Sequence, residues 1–315
     1  MRAFITGAGT IGCHTARELV ERGDEVTLFD LAPREDYVRQ VVQSDVRVVR
    51  GDVRELPAVV EAVQEARPDC VIHTAGLIGG AAQQVPYRGF QVNIGGAINM
   101  AEAVRLAGVR RLLHASTQGV NDLSAPQTGP ITEEFPVGGD AVYSASKVAC
   151  EQVLKAYASA YKFELGLLRF AGVYGYGHYA GGSGVGQGMY ALVTAAMAGR
   201  PAPIGAGIPE SNEMVYAKDV GRGVALAAHA GRLSHQVYNI GSGVLVTPDT
   251  IVQALQRVIP GATASRSGPA RADRHPRRQP FDISRARADL GYEPQYDLDA
   301  GLRDFVAELQ RHAQA

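Results

Sequence analysis

The chain has 315 residues, which is long enough for one large α/β domain or for a core with a smaller appended unit. Its hydrophobic content of 46%, charged fraction of 20% and formal net charge of -1 are typical of a globular protein and give no basic surplus for binding nucleic acid. Because we find neither a secretory signal pattern nor an apolar run of membrane-spanning length, we expect a cytoplasmic protein.

The first predicted strand leads directly into the sequence Gly7-Ala8-Gly9-Thr10-Ile11-Gly12, which opens a helix. A strand, a glycine-rich turn and a helix in this order are typical of a dinucleotide-binding fold. Gly7 permits the tight turn, Gly9 lets a pyrophosphate approach the backbone, and Gly12 lets the helix pack closely on the strand. We expect the N–H groups of the first helical turn, which includes Thr10 and Ile11, to bind the phosphates.

The second predicted strand ends at Asp30, where a carboxylate would accept hydrogen bonds from the adenosine ribose. Its charge would repel a 2′-phosphate and therefore favours NAD over NADP. Arg34 lies close enough to weaken that preference, although a solvated arginine is the commoner interpretation. After the third strand, Asp52 and Val53 could lie near the adenine, or Asp52 could instead cap the next helix.

The fourth predicted strand ends in Thr74-Ala75-Gly76, whose small side chains suit a backbone that passes close to a nucleotide. The fifth ends at Ser116 and Thr117. Strands that alternate with helices predict a doubly wound parallel sheet of the Rossmann type, with ligands outside the carboxyl ends of its strands. The Thr117 hydroxyl could donate to a substrate oxygen there, or it could cap a turn.

Tyr143 and Lys147 are four residues apart in a predicted helix, so their side chains are neighbours on one face. Bringing the pKa of a tyrosine from about 10 to neutrality requires about 4 kcal/mol. One cation at about 4 Å supplies roughly that amount at an effective dielectric constant of about 20. Lys147, assisted by a cationic nicotinamide ring, could therefore make Tyr143 a general base; alternatively, the tyrosine packs and the lysine extends to solvent.

These segments together resemble the extended short-chain dehydrogenase/reductases, and more narrowly the NAD-dependent epimerase/dehydratase family. The similarity extends over nearly the whole chain. The motifs that carry it are Thr6 to Gly12, Asp30, Gly51 to Val53, His73 to Gly76, Ser116-Thr117, Tyr143 to Lys147, Leu168 to Gly175 and Val215 to Val220.

The resemblance implies hydride transfer to NAD at a secondary alcohol of a sugar or sugar derivative. Tyr143 would take the hydroxyl proton, Lys147 would hold the nicotinamide ribose and lower the pKa of the tyrosine, and Thr117 would orient the substrate oxygen. The resemblance also places three further residues beside the cofactor: Asn93, Phe170 and Val173.

Four departures from the family pattern concern the substrate, and the fourth is a glycine-rich insertion at 176–187. The first two glycines, Gly7 and Gly9, are one residue closer together than is usual. Gln118 and Gly119 follow Thr117 where dehydratases carry an Asp-Glu pair, which disfavours dehydration. Sugar-nucleotide members usually carry Asn at the position of Gly172 and Arg near Asn212 or Glu213, and these two residues contact the diphosphate. Their absence disfavours a nucleotide sugar as substrate, because an unneutralised diphosphate in a cleft is costly.

Further substrate contacts are expected at Ser116 and Gly172, at Tyr176 and His178 in a glycine-rich segment that could form a lid, and at Arg271 in a basic stretch. A plain surface loop and a solvated cationic loop are the alternatives for the last two segments. No spacing of histidines or of Cys13, Cys70 and Cys150 predicts a metal site, and the cysteines are expected to be buried thiols.

We therefore expect an NAD-binding core at residues 1–174, rejoined by about 214–244, and a substrate-binding part at 175–213 and 245–315. The expected activity is epimerisation or, alternatively, net oxidation of a small non-nucleotide sugar acid, sugar phosphate or polyol. A catalytically silent NAD-sensing regulator is the alternative from another class. Helices at about 83–107 and 142–161 predict a homodimer, since the relatives pair these helices.

Overall fold

A seven-stranded parallel sheet forms the centre of the protein, in a computed structural model that describes residues 1–177, 182–205, 211–266 and 279–313. The strands are β1 Arg2–Thr6, β2 Glu25–Asp30, β3 Arg47–Arg50, β4 Cys70–His73, β5 Arg111–Thr117, β6 Glu164–Phe170 and β10 Val237–Ile240. Their order in the sheet is β10-β6-β5-β4-β1-β2-β3. The direction of progression reverses between β1 and β4, which creates the crevice that binds ligands in doubly wound sheets.

Helices cover both faces of this sheet. One face carries α1 Thr10–Glu21, α2 Glu35–Val42 and α9 Ala217–His229, and the other carries α3 Leu56–Ala66, α6 Gly96–Ala107 and α7 Val142–Tyr161. Each face has its own hydrophobic cluster, with Ile5 and Leu28 in one and Phe4 and Phe29 in the other. Because successive strand residues point to opposite faces, uninterrupted apolar strands supply both clusters. The predicted Rossmann-type fold is confirmed.

The remaining elements lie mainly in later parts of the chain. They are α4 Gly79–Gln84, α5 Pro86–Phe90, β7 Gly172–Tyr174, α8 Gly184–Met197, β8 Ala202–Ile204, β9 Asn212–Tyr216, β11 Leu245–Val246, α10 Pro248–Val258, β12 Ala264–Arg266, α11 Ser284–Leu290 and α12 Leu298–Ala313. Two small sheets, β11-β9-β7 and β12-β8, extend from the core. Within the described ranges, no helix is long and apolar enough to cross a membrane.

The continuous helix predicted at 83–107 is interrupted. Pro86 begins α5 after a break at Val85, and a π-helical turn at Gln91–Gly95 joins α5 to α6. Proline cannot donate a backbone hydrogen bond inside a helix, so α4 ends before it. The π-helical turn places Asn93 on the side of the helix that faces the sheet and α7.

Candidate active site

The glycine-rich loop between β1 and α1 has the backbone geometry that a pyrophosphate requires. Gly7 has a φ of +88°, and a Cβ atom added to Gly12 would lie 1.9 Å from the carbonyl oxygen of Gly7. Thr74 supports the loop from β4, since its hydroxyl donates to the carbonyl oxygen of Thr6 at 2.7 Å. No atom lies within 4 Å of a Cβ built on Gly9, so a ligand can approach the backbone there. The residues present fit a bound dinucleotide.

Asp30 lies beside this loop at the end of β2. One carboxylate oxygen accepts from the backbone N–H of Ala8 at 2.8 Å and the other accepts from that of Ala32 at 2.8 Å. The side chain therefore anchors the glycine-rich loop as well as standing at the position of a ribose acceptor. The sequence indicated only the second role.

Asp52 and Val53 have partners within the protein. Asp52 forms an ion pair with Arg54, which lowers the pKa of the carboxyl group through a side-chain hydrogen bond. It does not cap α3, because the residue before that helix is Glu55. Val53 is buried, and its Cγ2 would lie 2.9 Å from a Cβ on Gly96.

Asn93 holds the loop that follows β4 at the candidate site. Its amide oxygen accepts from the N–H of Leu77 at 2.8 Å, and its amide nitrogen donates to the carbonyl oxygen of Leu77 at 2.9 Å and to the Ser146 hydroxyl at 2.8 Å. The side chain is 1% exposed. It therefore fastens the loop of Ala75 and Gly76 to α7 and acts on the candidate site through the backbone that it holds.

Thr117 lies at the carboxyl end of β5, and Tyr143 lies beside it in the first turn of α7. Thr117 accepts from the N–H of Gly119 at 3.1 Å, so its alternative role as a turn cap is observed, and its donation to a substrate oxygen stays a prediction. Burial raises the pKa of Tyr143 to about 12, and the neighbouring Thr117 side chain opposes this rise.

Lys147 is buried one helical turn beyond Tyr143. Its Nζ atom donates to the carbonyl oxygen of Ala115 at 2.8 Å and lies 3.4 Å from Nε2 of His114. A Cβ on Gly76 would lie 3.8 Å from the same Nζ, so the ammonium group borders the loop after β4. Desolvation of the phenol dominates the pKa of Tyr143 in the protein alone, and the lowering expected from Lys147 together with a cationic nicotinamide ring stays a prediction.

Ser116 differs from its prediction as a substrate contact. Its hydroxyl is buried and donates to Glu151 at 2.6 Å. Glu151 also pairs with Arg169 through contacts of 3.0 and 2.8 Å. Ser116 therefore belongs to a buried ionic cluster that fastens α7 to β5 and β6, which the sequence did not indicate.

Gly172 in β7 packs against β9 too closely to carry a side chain. A Cβ there would lie 2.8 Å from Nδ2 of Asn212 and 2.9 Å from the carbonyl oxygen of Glu213. The Asn212 amide oxygen in turn accepts from Gln118 at 3.3 Å. An amide from β9 thus fills the space beside Gly172, and it is connected to the residue that follows Thr117.

Tyr176 does not form part of an open lid. Its ring stacks on His312 with centroids 4.8 Å apart, its hydroxyl donates to Gln40 at 2.7 Å, and the side chain is 5% exposed. Phe170 and Val173 are buried as well. His178 and Arg271, the other predicted substrate contacts, lie outside the described residues.

The comparisons with known proteins agree with this arrangement. Residues 3–241 match the model of the NAD dependent epimerase/dehydratase family. The chain is 30% identical to a UDP-glucose 4-epimerase of Mycolicibacterium smegmatis over 100% of both chains, and 27% identical to a dTDP-glucose 4,6-dehydratase of Xanthomonas campestris over 96% of this chain and 91% of that one.

Solved structures are similar over their full length. The UDP-glucose 4-epimerase of Thermus thermophilus in complex with NAD has a TM-score of 0.84 and 27% identity, and the match covers 98% of this chain and 99% of that one. DesIV of Streptomyces venezuelae, a dTDP-glucose 4,6-dehydratase with NAD bound, has a TM-score of 0.83, 25% identity and coverage of 100% and 98%. Because the family model covers most of the chain and a relative matches it from end to end, the protein belongs to the NAD-dependent epimerase/dehydratase family of extended short-chain dehydrogenase/reductases.

Proposed function

We propose that the protein inverts a secondary alcohol of a sugar nucleotide by removing a hydride and returning it to the opposite face. The observation that carries this proposal is the placement of Thr117 beside Tyr143, one helical turn from buried Lys147 and at the edge of the sheet that bears the glycine-rich loop. The relatives named as UDP-glucose 4-epimerases support a nucleoside-diphosphate hexose as substrate.

In this mechanism Tyr143 removes the hydroxyl proton while the hydride leaves the same carbon. Thr117 donates its hydroxyl hydrogen to the substrate oxygen and keeps that oxygen aligned with the phenol. The buried cation of Lys147 favours the phenolate, and bound NAD supplies the hydride acceptor. When the hydride returns to the opposite face of the ketone carbon, Tyr143 gives its proton back to the substrate oxygen. The same phenol thus serves as base and as acid.

The residues after Thr117 disfavour dehydration. Gln118 is an amide, so it can neither take nor give a proton at neutral pH, and its side chain already donates to Asn212. Gly119 has no side chain. Removal of water from a sugar requires an acid and a base in addition to Tyr143, and neither position supplies one.

A second candidate is net oxidation of a small sugar acid, sugar phosphate or polyol. The packing at Gly172 favours it, because no side chain can extend from this position to a diphosphate. The silent NAD sensor is disfavoured, since binding alone has no need for Thr117 beside Tyr143.

The decisive experiment follows the fate of the hydride. The purified protein is denatured and the released NAD is quantified; then UDP-glucose is supplied and formation of its 4-epimer is followed by NMR, with Tyr143→Phe as control. Retained NAD and epimer formation without net NADH support the proposal. Net reduction of added NAD by free sugars, sugar acids or polyols would instead support the second candidate, and no reaction with any of these substrates would contradict both.

We also propose a cytoplasmic homodimer. Exposed apolar side chains on α5 and α7 support a paired surface, with Tyr87 77%, Phe90 38% and Tyr161 51% exposed. Buried free thiols at Cys13, Cys70 and Cys150 support a reducing compartment. Light scattering at micromolar concentration tests the assembly, and a monomer would contradict it. We propose, finally, that residues 175–213 and 245–315 form most of the substrate-binding part.

A further inference from the structure

A row of polar side chains crosses the sheet beneath Lys147. Thr6 of β1, His73 of β4 and His114 of β5 are partners in register across three adjacent parallel strands. Residues paired in this way project from the same face. Nδ1 of His73 lies 2.6 Å from the Thr6 hydroxyl, the two imidazole rings have centroids 5.2 Å apart, and Nε2 of His114 faces Nζ of Lys147 at 3.4 Å.

His114 is an unfavourable residue for a core position unless it acts on Lys147. It is 1% exposed, and its Nδ1 has no hydrogen-bond partner within the part of the chain that the structure describes. A buried polar group without a partner destabilises a protein, so a phenylalanine of similar size would pack at least as well. The contact that distinguishes histidine from phenylalanine at this position is the one with the ammonium group.

The chemistry of the contact determines the state of the ring. An ammonium group has three donors and no acceptor, so Nε2 of His114 must be the acceptor and the ring must be neutral. Burial and the charge of Lys147 both lower the pKa of His114, which agrees with a neutral ring. With the carbonyl of Ala115, the imidazole occupies two of the three Nζ hydrogens and leaves one for a ligand.

We propose that His114 is a positioning residue that holds the ammonium group of Lys147 in its working orientation by accepting a hydrogen bond at Nε2. The inference deepens the proposed function, because it rests on the role of Lys147 beside Tyr143. His114 touches neither substrate nor cofactor. It acts only through the lysine.

Other titratable groups surround Lys147 and must be kept constant in any test. They are Tyr143, Cys150 and Glu151 on its own helix and His73 on β4. Desolvation lowers the pKa of Lys147, and Cys150 and Glu151 raise it. Loss of an acceptor from the ammonium group adds to the lowering. Less positive charge near the phenol then raises the pKa at which Tyr143 becomes a base.

Two substitutions separate an acceptor at Nε2 from a merely polar side chain. The amide oxygen of His114→Gln reaches about as far as Nε2, whereas the amide of His114→Asn reaches only about as far as Nδ1. We expect the glutamine variant to remain close to wild type. In His114→Asn and His114→Phe we expect kcat/KM for epimerisation of UDP-glucose at neutral pH to fall about tenfold. The acidic limb of the pH profile should move up by about one pH unit, with recovery towards alkaline pH.

A second readout does not depend on turnover. The Kd for NAD, measured by calorimetry, should rise in the phenylalanine and asparagine variants and stay constant in the glutamine variant. Thermal unfolding checks that each variant folds, and if the phenylalanine variant does not, the comparison of glutamine with asparagine decides. Unchanged pH profiles and Kd in the phenylalanine or asparagine variant would overturn the inference, and so would an equal loss in all three variants at every pH.

A Lys147→Met variant separates failure of this inference from failure of the proposed function. If the methionine variant keeps both wild-type turnover and NAD affinity, Lys147 has no role and the proposed site is wrong. If Lys147→Met is impaired and His114→Phe matches the wild type, only the role of His114 is wrong.

Discussion

The buried pair of Glu151 and Arg169 should dominate the stability of the active-site helix. The two side chains are 0% and 1% exposed, and they are joined by two contacts of 3.0 and 2.8 Å. Glu151 also accepts from Ser116, and Arg169 donates to the carbonyl oxygen of Glu133 at 3.1 Å. Glu151→Gln preserves the shape of the carboxylate but leaves the guanidinium charge buried without compensation. Breaking one side of such a pair costs about 3–5 kcal/mol.

The assay is urea unfolding with NAD held at one concentration, because a ligand that binds only the folded state adds to the measured stability. We expect Glu151→Gln and Arg169→Met each to lower the free energy of unfolding by about 3–5 kcal/mol. The double variant should lose less than the sum, with a coupling energy of at least about 1 kcal/mol. Single losses below about 1 kcal/mol that simply add would refute the argument that this charge pair is desolvated and mutually dependent.

Three further predictions concern the cofactor and substrate sides of the site. Tyr143→Phe should reduce kcat about 100-fold or more while NAD remains bound. Because the phenolate is required and burial raises the pKa of Tyr143 to about 12, kcat/KM of the wild type should rise with pH. The same rise in the Tyr143→Phe variant would contradict the assignment of Tyr143 as the base. Gly9→Ala should fold normally but bind NAD at least about tenfold more weakly. Gly12→Ala should in addition lower the midpoint of thermal unfolding, because its Cβ would meet the backbone of Gly7. Equal unfolding midpoints for the two variants would contradict this. Gly172→Asn should destabilise the protein by about 1–3 kcal/mol in urea unfolding, and adding Asn212→Gly should restore part of the loss; no recovery would show that the amide of residue 212 is not the obstacle.

Local sequence patterns were sufficient for the fold and for the main elements of the candidate site. The strand, the glycine-rich turn and the helix at residues 2–21 are contiguous, and Tyr143 and Lys147 are separated by one helical turn. The family and its NAD dependence, inferred from these motifs, are confirmed by the comparisons. Such features depend only on residues that are close in the chain.

Features that join distant segments could not be predicted in the same way. His73 and His114 become neighbours only through the register of β4 with β5, and Glu151 meets Arg169 only once α7 packs on β6. The burial of Tyr176 against α12 likewise involves residues more than a hundred positions apart. The register between two strands cannot be derived from the sequence until the order of the strands is known. One signal for the contact was available, since His73 and His114 are each the fourth residue of a buried strand.

The position of β10 has a consequence for synthesis of the chain. This strand pairs in parallel with β6, and α9, which precedes it, packs on α1. The side chain of Arg111 is wholly buried and donates to the carbonyl oxygens of Ala227 and Ala228 at 2.9 and 2.7 Å. Until about residue 240 has left the ribosome, the nucleotide-binding half therefore exposes an apolar helix face. Arg111 then has its ion pair with Glu164 but lacks its two carbonyl acceptors from α9. A nascent chain stalled before that point should be a substrate for chaperones and proteases, and the protein should complete its folding only late in translation.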